Sequence, residues 1–114
     1  MRFIIVATFL LLTTLPAQAT RTDDTHFSGT ELYKMCASKY DTDYGYCAGY
    51  VSAIANLLLT ESVAGFRACN LKIVLSQQFV DIFKSYAEGF KTNLGTEANA
   101  VVAASLSRAF PCNQ

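Results

Sequence analysis

"CASKYDTDYGYC", residues 36–47, decides the fold. The apolar spacing on either side of it is helical, and "KYDTDY" (39–44) breaks that spacing. Asp41 and Asp43 favour a turn there, because a short carboxylate can accept hydrogen bonds from nearby backbone N–H groups. Asp43 also suits the cap of a helix that follows. A helix, a tight break and a second helix make an antiparallel hairpin. Cys36 and Cys47 stand symmetrically about the break, and positions symmetric about a hairpin turn face each other. A Cys36–Cys47 disulfide follows.

Toward the N-terminus, "FSGTEL" (27–32) is a helix start. Ser28 can accept a backbone N–H three residues on, and Glu31 can reach back, which is a capping box. Phe27 and Leu32 bracket that cap as a hydrophobic staple. The first helix is predicted to run to about Lys39, with Leu32, Tyr33, Cys36 and Ala37 on one face. Downstream of the break, Cys47, Tyr50, Val51, Ile54, Leu57 and Leu58 recur at helical spacing, predicting a second helix to about Ser62. "SVAGFRACNLKIVLS" (62–76) is irregular and reads as a loop with about one turn of structure. Leu71–Leu75 has the composition of a short strand but no partner strand.

The third helix places Leu75, Phe79, Ile82, Phe83, Tyr86 and Phe90 on an aromatic core face. "KTNLG" (91–95) ends it, with Asn93 or Gly95 available for a left-handed cap. Thr96 is expected to cap the fourth helix, and Glu97 suits its positive end. Val101, Val102, Leu106 and Phe110 can point inward. Ala98, Ala100, Ala103 and Ala104 allow close approach by another helix, within the domain or in a dimer. Pro111 stops the chain's last helix.

Four helices on short connections imply an all-α fold, a small four-helix up-down bundle. Four cysteines allow three pairings, and the helix count selects among them. Cys69 lies between the second and third helices and Cys112 beyond the fourth, so both come to one end and Cys69–Cys112 follows. In the chain-entropy picture the short loop contributes about 3 kcal/mol and the long one about 4 kcal/mol. Those figures rival the net stability of a small domain, roughly 5–10 kcal/mol.

The first nineteen residues, "MRFIIVATFLLLTTLPAQA", carry Arg2, an apolar run from Phe3 to Leu12 and a closing Ala17-Gln18-Ala19. That is the layout of a secretory signal peptide cut after Ala19. The run is shorter than the ~20 residues a membrane span needs, and no later segment is more apolar, so no stable membrane anchor is expected. Residues 20–26 read as a flexible leader and 27–114 as one domain. Paired cysteines suit an oxidising compartment.

With 9 basic and 9 acidic residues and no basic stripe, the chain lacks the footprint of a nucleic-acid binder. His26, the sole histidine, has no histidine partner and lies in the leader. Asp23 with Asp24, and Asp41 with Asp43, sit in a leader and a turn, where acids are solvated. The cysteines lack CxxC spacing, which argues against zinc, and no glycine-rich phosphate loop occurs. No cofactor, metal or enzymatic activity is expected; the chain reads as a binding module.

"CAGYVSAI" (47–54) resembles the C-x-G-Y-I-x-G-V signature that opens the second helix of type VI secretion amidase immunity proteins. "FSGTELYKMC", "CNLKIVLSQQF" and "AVVAASLSRAFPC" are similar to that family's other three cysteine segments. Ala53 replaces the second glycine, Asn56 an acidic residue and Leu71 a proline. The resemblance implies a periplasmic, commonly homodimeric helical protein that binds and blocks a peptidoglycan amidase effector. It also implies contacts from a loop at a bundle end, here "KTNLGTE", making Lys91, Thr92, Asn93, Leu94 and Glu97 the candidate partner-binding residues. The alternative is a periplasmic helical chaperone or stress protein. An acid-triggered chaperone needs many carboxylates, and this balanced charge makes a weak switch.

Overall fold

The computed structural model describes residues 27–112. The expected signal peptide (1–19) and leader (20–26), with His26, Asp23 and Asp24, lie outside the described residues. Four α-helices account for the architecture: α1 (Gly29–Cys36), α2 (Asp41–Leu58), α3 (Ser76–Gly89) and α4 (Ala98–Ala109). Every helix packs against the other three. The shared core is Leu32, Val51, Phe83, Val80, Val102 and Leu106, each fully buried. A side chain of this size contributes about 1.5–3 kcal/mol when taken out of water, so the four helices are held first by these contacts.

The capping box at α1 forms as the sequence dictates. Glu31 donates its backbone N–H to Ser28 Oγ at 3.3 Å, and Ser28 donates its own to Glu31 Oε2 at 2.8 Å. The Phe27 ring turns to α2, with centroids 5.7 Å from Tyr46 and 5.5 Å from Tyr50. α1 ends at Cys36, short of Lys39. Ser38 explains the stop: its hydroxyl accepts the Tyr40 N–H at 3.2 Å and donates to Asp43 Oδ2 at 2.7 Å. A serine bonded in this way competes with helix continuation. Asp43 is therefore not a helix cap. It is the third residue of α2, whose cap position is Tyr40, and Asp41 and Asp43 both lie in the positive first turn.

The buried face of α2 is Cys47, Val51, Ile54, Ala55 and Leu58. Leu57, expected inside, is 44% exposed, because the helix is rotated to bury Ala55. A similar rotation in α3 buries Val80 and Ala87 with Phe79 and Phe83, and leaves Leu75 at the cap position 70% exposed. The α2–α3 connection holds a tight turn at Val63–Phe66, where Val63 and Phe66 exchange backbone hydrogen bonds of 3.0 and 2.9 Å. Its central residues, Ala64 and Gly65, have φ of 50° and 82°. Positive φ at both places makes this a primed turn, which glycine accepts freely and alanine at a cost. Leu71–Ile73 then forms a 3-10 turn; without a partner strand, the run Leu71–Leu75 makes no strand.

Both disulfides form as the cysteine positions predict. Cys36–Cys47 and Cys69–Cys112 have Cα separations of 5.1 and 5.0 Å. The route to the first differs from the hairpin symmetry argument. Cys36 is the last residue of α1, whereas Cys47 is nearly two turns into α2. The end of α1 thus rests on the flank of α2. α1 is only 8 residues long, about 12 Å at 1.5 Å per residue, too short to run the length of α2.

α1 also begins against α4. Gly29 and Thr30 donate to the carbonyls of Thr96 and Leu94, and Ala98 donates to Phe27, each at 2.9 Å. This stitch satisfies the first donors of two helices at once. It also corrects the expected cap of α4: the cap position is Glu97, without a side-chain cap, while the Thr96 hydroxyl donates to the Asn93 carbonyl at 3.0 Å. The stitch requires Gly29. A Cβ there would stand 2.7 Å from Val101 Cγ2 and 3.0 Å from the Leu94 carbonyl oxygen, closer than atoms tolerate.

Candidate functional site

The loop between α3 and α4 is built from the end of α3 outward. Phe90 closes the helix with φ −126°, not a left-handed residue, so neither Asn93 nor Gly95 plays that part. Its ring stacks on Tyr86 at 4.7 Å, and the Arg108 guanidinium lies 4.8 Å above it. Held by those two contacts, the chain turns into a 3-10 segment, Lys91–Asn93, in which Asn93 donates to the Phe90 carbonyl at 3.0 Å.

From there the loop is tied down on its inner side and open on its outer side. Leu94 is 5% exposed and belongs to the core. Of the five residues expected to touch a partner, it is the one the structure turns inward; its part is to anchor the loop. Lys91, Thr92, Asn93 and Glu97 are exposed. The Asn93 and Leu94 carbonyls, the Thr96 hydroxyl and the stitch to Phe27–Thr30 leave the backbone of this loop well bonded. A loop ordered in this way loses little entropy when it docks.

Aromatic residues flank the loop. On one side a groove of about 300 Å³ is lined by Phe66, Tyr86, Asn93, Thr96, Ala100 and Ala104. Phe66 comes from the tight turn after α2 and is 39% exposed. On the other side, beyond Glu97, Phe27, Tyr46 and Tyr50 form a ring cluster, with Tyr46 52% exposed. Partial burial pushes the Tyr50 hydroxyl above the usual tyrosine range. The neighbouring Tyr46 and Glu97 push the same way, and a hydrogen bond with the Asn99 backbone opposes them.

The sequence places a loop between α3 and α4, where the structure has one, but does not indicate its aromatic flanks. Phe66 sat in the least regular stretch of the chain. Tyr46 falls off the α2 core face, and an exposed tyrosine there was the available signal. The alanines of α4 divide: Ala98 and Ala103 are buried, whereas Ala100 and Ala104 are half-buried. All four cysteines are in disulfides. Among the described residues, no group of three or more His, Cys, Asp or Glu is placed to hold a metal ion. Charged, amide and aromatic groups around an ordered loop suit recognition of a protein surface.

Residues 28–112 match the family model of Rap1a immunity proteins. The chain belongs to the Rap1a immunity protein family. The match begins at the α1 capping serine and ends at the second cysteine of the outer disulfide, so the family spans all four helices and both cross-links. No curated protein and no solved structure matches the chain. The Rap1a assignment agrees with the resemblance carried by the cysteine segments. No helix among the described residues is long and apolar enough to cross a membrane.

Proposed function

We propose that this protein is a periplasmic immunity protein that binds a peptidoglycan amidase effector of type VI secretion and blocks it. The observation that carries the reading is the family match over residues 28–112, which takes in the whole disulfide-locked bundle. The geometry supports it. An inhibitor of this kind needs no bond-making groups; it needs an ordered surface whose shape survives docking. The exposed residues of the α3–α4 loop, Lys91, Thr92, Asn93 and Glu97, together with Phe66 and Tyr46 beside them, make such a surface. Tyrosine and phenylalanine are enriched at the centres of protein interfaces because a rigid ring contributes contact area with few torsions to freeze.

Export follows the same reading. The signal peptide over residues 1–19 would deliver the chain to the compartment where the amidase acts and where both disulfides form. A homodimer belongs to the proposal, with half-buried Ala100 and Ala104 on α4 offering small side chains for close approach. Light scattering of the mature protein checks that element.

The test is direct. Oxidised, purified protein is titrated into type VI peptidoglycan amidases while cleavage of peptidoglycan fragments is followed, and binding is measured in parallel by calorimetry. One amidase is expected to lose its activity at about one binding site per inhibitor protomer. No binding and no loss of activity across the panel would remove the reading. Suppressed aggregation of unrelated unfolded clients at low pH would instead point to the chaperone alternative.

A further inference from the structure

The two disulfides differ in access. Cys36 and Cys47 are 2% and 0% exposed and lie inside the core cluster. Cys69 is half-buried and Cys112 is exposed. The outer bond also lies between two depressions. One, of about 440 Å³, is lined by Leu58, Leu59, Arg67, Cys69, Asn70 and Lys72. The other, of about 360 Å³, is lined by Gly65, Phe66, Arg67, Ser107, Pro111 and Cys112. Arg67 is exposed and lines both, so its cationic side chain shares one depression with Cys69 and the other with Cys112.

We propose that Cys69–Cys112 is a thiol–disulfide exchange site for a dithiol reductant, open in the folded protein, while Cys36–Cys47 is closed to it. A reductant thiolate attacks Sγ of Cys112, the more exposed of the two residues. The Sγ–Sγ bond breaks, a mixed disulfide forms on Cys112, and Cys69 leaves as a thiolate that takes a proton from water. The reductant's second thiolate then attacks the mixed disulfide, releasing Cys112. Two electrons pass from the dithiol to the cysteine pair, and the dithiol becomes a disulfide. Exchange is faster when the leaving sulfur is a more stable thiolate, and a neighbouring guanidinium stabilises a thiolate. Arg67 is thus a positioning residue for the departure of Cys69.

The fold is built to survive this step. The Cys69 N–H donates to the Phe110 carbonyl at 2.9 Å, and the Phe110 ring packs edge-on against Phe79 at 6.3 Å. These contacts hold the chain end against the bundle after the bond opens, so the pair stays close enough to close again.

The experiment uses the oxidised protein without denaturant. Dithiothreitol is added, free thiols are trapped with iodoacetamide at intervals, and the cysteines are mapped by mass spectrometry, with far-ultraviolet circular dichroism in parallel. Cys69 and Cys112 are expected to be labelled together, at least about tenfold faster than Cys36 and Cys47, because buried sulfurs exchange only after local opening. Helical signal should persist in the singly bonded species. Arg67→Ala should slow opening of the outer bond several-fold and leave the inner bond's rate unchanged, and Arg67→Lys should restore it. The proposal is overturned if the inner bond opens first, if both open together with loss of helix, or if neither opens. An unchanged rate in Arg67→Ala would overturn the part assigned to Arg67.

Discussion

The two cross-linked corners of the bundle use the same bond for different ends. At Cys36–Cys47 the sulfurs are packing atoms, sunk between two helices among Leu32, Val51 and Phe83. At Cys69–Cys112 the bond is a strap across the surface, joining an irregular connection to a residue beyond the last helix. Loop length alone ranks the strap higher, by about 1 kcal/mol, because it closes 43 residues against 11. Burial ranks the inner bond higher, since each deleted core sulfur leaves a void costing on the order of 1 kcal/mol. The contrast shows that a disulfide's worth depends on where its sulfurs sit as well as on the loop it closes.

The largest expected effect tests that ranking. Replacing Cys36 and Cys47 together by alanine should cost about 5 kcal/mol, against about 4 kcal/mol for Cys69 and Cys112. Urea midpoints of the two double variants read the difference. A greater loss at the outer pair would show that chain entropy governs and that the inner packing adds nothing.

The next effect falls on the stitch between α1 and α4. Gly29→Ala forces a methyl into Val101 and the Leu94 carbonyl. Such crowding costs typically about 1–3 kcal/mol. Thermal unfolding reads the loss, and hydrogen exchange at Gly29, Thr30 and Ala98 should quicken ahead of the core amides. Slow exchange at those three amides in the variant would mean that the stitch does not depend on this close approach.

A smaller gain is expected at the turn after α2. Ala64 holds φ 50°, a region that costs an ordinary residue about 1–2 kcal/mol and that asparagine tolerates. Ala64→Asn should stabilise the protein by about 1 kcal/mol. Since that turn leads into the outer strap, the gain should persist after the outer bond is reduced; its disappearance would tie the turn's geometry to the bond.

The smallest effect concerns pH. The Tyr50 hydroxyl is held above its ordinary value, chiefly by burial, in the folded state. A raised folded-state value favours the protonated form, so the contribution is complete below the unfolded tyrosine value, about 10, and is lost as pH rises through the folded one. Stability should therefore fall more steeply above about pH 10 in the wild type than in Tyr50→Phe. Parallel alkaline curves would remove Tyr50 from that loss.

Much of this molecule is legible in its sequence, for local reasons. The Ser28–Glu31 box depends on residues three apart and forms as read. The outer disulfide needs only the order of the elements and is found. The inner pairing is correct although Cys47 is not the mirror of Cys36, because Ser38 and Asp43 bring α2 to an earlier start. What was not legible is set by distant backbone. The α4 cap is displaced because the Phe27 carbonyl takes the Ala98 N–H, across a sequence gap no local motif spans. Leu94 reads as a loop contact, yet its neighbours across the stitch turn it inward. At the candidate site, the loop could be found from its sequence, whereas Phe66 and Tyr46 reach it only through the packing of the turn after α2 and of α2 itself.

In the proposed role, an ordered α3–α4 loop on a disulfide-locked bundle blocks an amidase. The measurement that bears on it is inhibition, by the wild type and by a variant in which Lys91, Thr92, Asn93 and Glu97 are all alanine, of whichever amidase the titration proposed above identifies. The variant is expected to be equally helical and to have lost at least about a hundredfold in inhibitory potency, roughly 3 kcal/mol of binding. A folded variant that inhibits as well as the wild type would contradict that role for the loop.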